Sequence, residues 1–118
     1  MKRFLAIYTG ATDGSKMAEW NARPEAERRE REQRGMDAWM KWGTDHADAI
    51  VVNGGPLGRT KHVGPGGISD IRNAMTGYTI VQAESHEAAA RMFENHPHFA
   101  VFPGDGVEIM EELPIPER

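Results

Sequence analysis

The chain has 118 residues, no cysteine, and 14 basic against 18 acidic side chains, for a net charge of −4. That length suits one compact domain and not two. The absent thiols exclude a disulfide framework, a cysteine zinc site and a thiol nucleophile, and the acidic balance argues against broad contact with phosphate backbones.

Arg3 to Thr9 opens the chain as a strand, with Phe4, Ala6 and Tyr8 on one face and Leu5 and Ile7 on the other. Both faces are apolar, the pattern of a central strand covered on two sides. This apolar run is too short for a signal peptide or a membrane helix, so the expected location is cytoplasmic, with no membrane and no nucleic acid as partner. Gly10 to Ser15 reads as a loop. A short helix around Met17 to Trp20 ends near Asn21, and Pro24 suits the first turn of a longer one.

From Glu25 to Arg34 the chain places Glu before Arg at i,i+4, in Glu25–Arg29, Glu27–Arg31 and Glu30–Arg34. Such pairs support a helix in water by a few tenths of a kcal/mol each. The spacing predicts one helix from about Pro24 to Ala47, its charged half leaving the core and its second half carrying Met36, Trp39 and Met40 on one face. Ile50 to Val52 follows as a short buried strand. Asn53-Gly54-Gly55-Pro56-Leu57-Gly58 marks a sharp turn or a close backbone approach. Thr60–Val63 and Ile68–Ile71 flank Gly64-Pro65-Gly66-Gly67, a hairpin with a glycine-rich tip. Thr76 to Ala83 is the clearest strand. Ser85 caps a second helix with Ala89, Met92 and Phe93 inside, and Pro97 stops it near Asn95. Val107 to Leu113 is the last strand.

Without the inserted hairpin the order is βαββαβ, the ferredoxin-like α+β plan, with an antiparallel sheet and both helices on one face. The other face needs cover, and in so short a chain a second copy supplies it. The expected assembly is a two-fold homodimer with sheets face to face. A stable monomer at micromolar concentration would overturn this.

Candidate chemistry centres on the five histidines. His46 shares a helix flank with Trp39 and Trp42, either as an acid–base group against an indole or as a cation near a helix C-terminus. In an extended His96-Pro97-His98, both imidazoles would point the same way, toward a ligand. The alternative for that tripeptide is helix capping. Two histidines make an incomplete metal site, so no metal and no cofactor is expected. His62 sits on a hairpin that is either a lid or plain surface. Asn53 and Gly55 end a buried strand, where ligand contacts are frequent, and Tyr78 aims its hydroxyl into a cavity or fills the core. Trp42 is the indole wall of the same candidate pocket. No GxSxG, phosphate loop or RNA-binding sheet pattern is present.

Four pieces resemble the YCII-related family of the dimeric α+β barrel superfamily. They are Phe4-Leu5-Ala6-Ile7-Tyr8, Asn53-Gly54-Gly55-Pro56-Leu57-Gly58, Thr76-Gly77-Tyr78-Thr79-Ile80-Val81 with Ser85 and Ala88-Ala89, and His96-Pro97-His98 followed by Val107-Glu108-Ile109. On this resemblance the chain is a single ferredoxin-like domain over 1–118 with a charged helical insertion at about 10–35. The resemblance implies a dimer and a pocket between the sheet and the first helix. Shorter members have been proposed as enzymes using a His–Asp pair. Here alanine stands at that histidine, and His96 replaces the aspartate before Pro97. The resemblance therefore moves any acid–base role to His96, His98 and His46. Three readings follow: an acid–base enzyme acting on a small organic molecule, a non-catalytic metabolite-binding module, and an interaction protein working through its charged helix.

Overall fold

The computed structural model describes residues 1–11 and 13–116; Thr12, in the expected first loop, and the last two residues of the expected domain lie outside the described residues. Among the described residues, six strands and four helices run in the order β1 (Lys2–Gly10), α1 (Ser15–Ala22), α2 (Glu25–Asp45), β2 (Ile50–Val52), β3 (Thr60–Gly64), β4 (Gly67–Ile71), β5 (Met75–Ala83), α3 (His86–Arg91), α4 (Pro97–Ala100) and β6 (Gly104–Glu111). Four strands form an antiparallel sheet in the order β2-β5-β1-β6, and β3 and β4 form a separate two-stranded ribbon. The protein is a mixed α+β fold.

Alternation in β1 and β5 decides which face is closed. Phe4, Ala6, Tyr8 and Val81 are buried, and Trp42 of α2, Ala89 of α3 and Phe93 just beyond it pack on that same side. The register sets Leu5 opposite Ile80 and Met110, and Ile7 opposite Tyr78 and Glu108. These residues share the other face, where Leu5, Ile7 and Ile80 are only half-buried and Met110 is exposed. The two-sided apolar pattern of β1 is therefore real, but within one chain only one side is covered.

Two helix starts match their chemistry. The Ser85 hydroxyl accepts from the Ala88 N–H at 3.0 Å, as an N-cap should. Pro24 precedes α2 in an extended conformation, and α2 then runs unbroken through the charged segment into the packed half. Only Gly35 and Trp42 of α2 are buried. Any Cβ at position 35 would strike the Phe102 ring, so glycine there lets the ring close on the helix.

Three expectations are corrected. β2 is an edge strand with Val51 and Val52 exposed, not a buried one, because it pairs with β5 alone. β6 runs from Gly104 to Glu111 rather than from Val107 to Leu113, and Leu113 is 71% exposed. His96-Pro97-His98 is not extended: His96 caps α4 and Pro97 is its first residue, the position where a missing N–H costs nothing.

Candidate functional site

A cleft of about 380 Å³ opens between β5, the β2–β3 connection and α2. Tyr8, Trp39, Asn53, Gly54, Gly55, Tyr78, Thr79 and His98 line it. Of the sequence candidates it thus brings together Asn53, Gly55, Tyr78 and His98. His46, His62, Trp42 and His96 do not line it.

The local backbone explains the cleft's shape. Gly54 has φ +66°, a left-handed conformation that side chains resist, and a Cβ there would strike the Tyr78 carbonyl. The Gly55 carbonyl accepts the Tyr78 N–H at 3.2 Å, and Pro56 bridges to Gly77. Glycine thus lets the β2–β3 connection press onto β5 and form one wall. On the floor, the Thr79 hydroxyl donates to the Asn53 carbonyl at 3.2 Å, so its oxygen accepts from the Tyr8 hydroxyl at 2.9 Å. Burial pushes the Tyr8 phenol above its usual pKa, against the smaller opposing effect of the Thr79 bond. It stays protonated at neutral pH.

His98 is held at the far side. Both ladders of β1 slip near Thr9, between Tyr8 and Thr9 against β5 and between Thr9 and Gly10 against β6. Such irregularities re-aim backbone groups. The Thr9 carbonyl meets His98 Nε2 at 2.7 Å. A carbonyl only accepts, so Nε2 carries the proton and Nδ1 is the basic nitrogen. His98 lies against Gly104, where a Cβ would strike both its imidazole and its backbone carbonyl. Burial lowers the His98 pKa, partly offset by the Thr9 bond and the charge of Asp105. The ring is neutral at pH 7.

His96 stands behind this arrangement and has no exposed surface. Its Nδ1 accepts the His98 backbone N–H at 3.0 Å, which leaves the proton on Nε2. That N–H has no hydrogen-bond partner among the described residues. It is enclosed by aromatic rings, Trp39 at 4.5 Å and 89° and Trp42 at 4.8 Å and 70° between planes. Burial, with smaller contributions from His98 and His46, pushes its pKa down to about 4. His96 therefore orients the His98 backbone and stays neutral.

The other candidates have structural surroundings. Trp42 is in the core and donates Nε1–H to the Met92 carbonyl at 2.7 Å. His46 follows the last turn of α2, lies tilted against the Trp42 ring at 4.9 Å between centroids, and its Nδ1 lies 2.9 Å from the Trp42 carbonyl. His62 is exposed on β3, away from the cleft. Tyr8 and Thr79 are not among the site residues expected from the sequence, and Trp39 enters there only beside His46. Tyr8 and Thr79 carry a usable signal, two hydroxyls on the helix-facing side of neighbouring central strands. No group of three or more metal-ligating side chains exists among the described residues. No described helix is long and apolar enough to cross a membrane.

No protein-family model and no curated protein sequence matches this chain. Among solved structures it is similar to the 5-chloro-2-hydroxyhydroquinone dehydrochlorinase TftG of Burkholderia phenoliruptrix AC1100, in complex with 2,5-dihydroxybenzoquinone. The two share 19% identity over 92% of this chain and 90% of that chain, with a TM-score of 0.49.

Proposed function

We propose that this chain is a YCII-related, ferredoxin-like protomer of a dimeric α+β barrel, and that its cleft binds a small organic molecule with His98 as the acid–base group. The observation that carries the site is the His98 tautomer. With Nε2–H spent on the Thr9 carbonyl at 2.7 Å, Nδ1 is a neutral imidazole nitrogen beside a cleft of ligand size. A neutral, oriented imidazole is what proton abstraction near pH 7 requires. Tyr8, held protonated with its O–H on Thr79, presents its remaining oxygen lone pair as an acceptor. The walls formed by the Tyr8 and Trp39 rings favour a ring over a flexible chain.

The strand order and the helices on one face support the protomer. For the dimer, the support is area. The chain exposes 8607 Å², whereas a compact monomer of this mass exposes about 6,400 Å². The excess is of the order that permanent dimers bury.

The test uses 4-hydroxybenzoate and catechol as probes, with ¹⁵N NMR of the histidine rings. His98 is expected as the Nε2–H tautomer between pH 6 and 8, and the probes shift Trp39 and His98 resonances. His98→Gln keeps a donor for Thr9 and is expected to weaken binding about tenfold at pH 7, one hydrogen bond to an imidazole's worth. Probe shifts confined to residues outside the cleft would sink the assignment. A second reading, binding without chemistry, is favoured by one fact: His98 is the only imidazole lining the cleft among the described residues. It predicts that bound probes with acidic C–H bonds exchange no deuterium.

A further inference from the structure

The β3–β4 ribbon, an arm projecting from the β2–β5 end of the sheet, takes no part in the cleft. Its two strands pair with each other and with no other strand, and an isolated two-stranded hairpin is marginal in water. Val63 stands opposite Ile68, so their side chains share one face. They are 74% and 71% exposed. The molecule spans 58 Å along its longest axis with a radius of gyration of 16.4 Å, against about 13.5 Å for a compact chain of this length.

Charge indicates what covers the arm. Between Leu57 and Ala74 lie Arg59, Lys61 and Arg72 against Asp70 alone. Lys61 and Asp70 pair with each other at 2.7 Å, which leaves Arg59 and Arg72 at the arm's root. The complementary stretch is 104–113, with Asp105, Glu108, Glu111 and Glu112 and no basic residue. Asp105, Glu111 and Glu112 each have a cation within 3.7 Å. Glu108 has no ion pair among the described residues and stands opposite Ile7, on the open apolar face of the sheet. Pairing two sheets on that face would bury this carboxylate, which a partner cation must then meet.

Topology determines which cation arrives. Arm and β6 lie at opposite edges of one sheet, so they do not meet within a chain. A two-fold axis along the strand direction, between facing sheets, sets the β2 edge of each sheet over the β6 edge of the other. It also keeps height along the strands. Met75, where the arm rejoins the sheet, pairs with Thr9, and Gly106 pairs with Thr9 from the other side. The arm's root thus sits level with the start of the other chain's β6.

We infer that the β3–β4 arm clasps a second copy of this chain, with Arg59 and Arg72 meeting the partner's Glu108 and the Val63–Ile68 face covering the partner. This rests on the sheet pairing proposed above, and the experiment separates the two. Sedimentation equilibrium of the full chain is run for wild type, the reversal Arg59→Glu/Arg72→Glu, Glu108→Lys, the combination of all three, and Ile80→Asp on the open face. Circular dichroism checks folding, which the reversal is expected to leave intact because the arm's strands pair only with each other. The reversal and Glu108→Lys are each expected to weaken the dimer about tenfold or more, and the combination to return it to within about threefold of wild type. A dimer unaffected by the reversal but split by Ile80→Asp overturns the clasp and leaves the sheet pairing standing. A combination no tighter than the singles overturns the Glu108 contact. A wild-type monomer at micromolar concentration overturns both.

Discussion

His96 and His62 are the same side chain in opposite surroundings. His96 has no exposed surface, four aromatic rings within 6 Å and a backbone N–H to accept. His62 is exposed on a ribbon that pairs only with itself. The layer between α2 and the sheet is finished within one chain, and the arm is not. Changes in the layer should therefore be read in the stability of the protomer. Changes in the arm should be read in association.

Glycine gives the sharpest version of this contrast. At Gly104 a Cβ would strike the His98 ring, which is tied to the Thr9 carbonyl, and the His98 backbone carbonyl, which belongs to α4. At Gly64 it would meet only the edge of the exposed His62 ring at 2.8 Å, which swings aside. Gly104→Ala is expected to cost about 3 kcal/mol, overpacking plus the strained His98–Thr9 bond. Gly64→Ala should change stability by less than about 0.5 kcal/mol. Urea unfolding of both variants measures the difference, and equal midpoints would break the comparison.

The histidines themselves come next. Unfolded His96 takes a proton near pH 6.5, and the folded protein resists it down to about 4. The unfolded state therefore holds more protons in that window, and stability falls as pH drops through it. The loss amounts to at most about 3 kcal/mol by pH 4. His96→Asn, which can still accept the His98 N–H, should flatten the profile between pH 6.5 and 4. His62→Asn should leave it as in wild type. A pH profile unchanged by His96→Asn would remove the buried-neutral account of this residue.

Much of the fold is legible in the residues. Alternation marks β1 and β5, Ser85 marks the start of α3, and the Gly-Pro-Gly-Gly tip marks the arm. Burial of β2 is not legible, because three aliphatic residues look alike at an edge and at a centre; neighbours decide. The site is half legible. Asn53, Gly55, Tyr78 and His98 are drawn together, but Trp42 and His46 occupy the helix–core contact that their shared flank equally allows. The His-Pro-His reading turns on one choice of backbone: proline suits an extended strand end and a first helical turn alike. Here α4 forms, so His96 turns into the core and His98 toward Thr9. Tyr8 shows in the sequence only as a hydroxyl on the helix-facing side, and an aromatic such as Trp39 on a core face has the same spacing whether or not a cleft reaches it.

The smallest effects test whether the layer's polar bonds outweigh those of the arm. Trp42 Nε1–H donates to the Met92 carbonyl at 2.7 Å from a core position. Trp42→Phe keeps an aromatic ring but leaves that carbonyl unmet, at a cost of about 1–3 kcal/mol. Lys61 and Asp70 also stand 2.7 Å apart, but with side chains 69% and 83% exposed. Water solvates each ion there nearly as well as its partner does, and holding two long side chains together costs rotamer freedom. Lys61→Ala should therefore shift protomer stability by less than about 0.5 kcal/mol. The same distance with a severalfold difference in effect, read by thermal unfolding of the two variants at equal protein concentration, isolates burial as the cause. If Lys61→Ala costs as much as Trp42→Phe, the arm is packed within the protomer after all, and the contrast between the two regions fails.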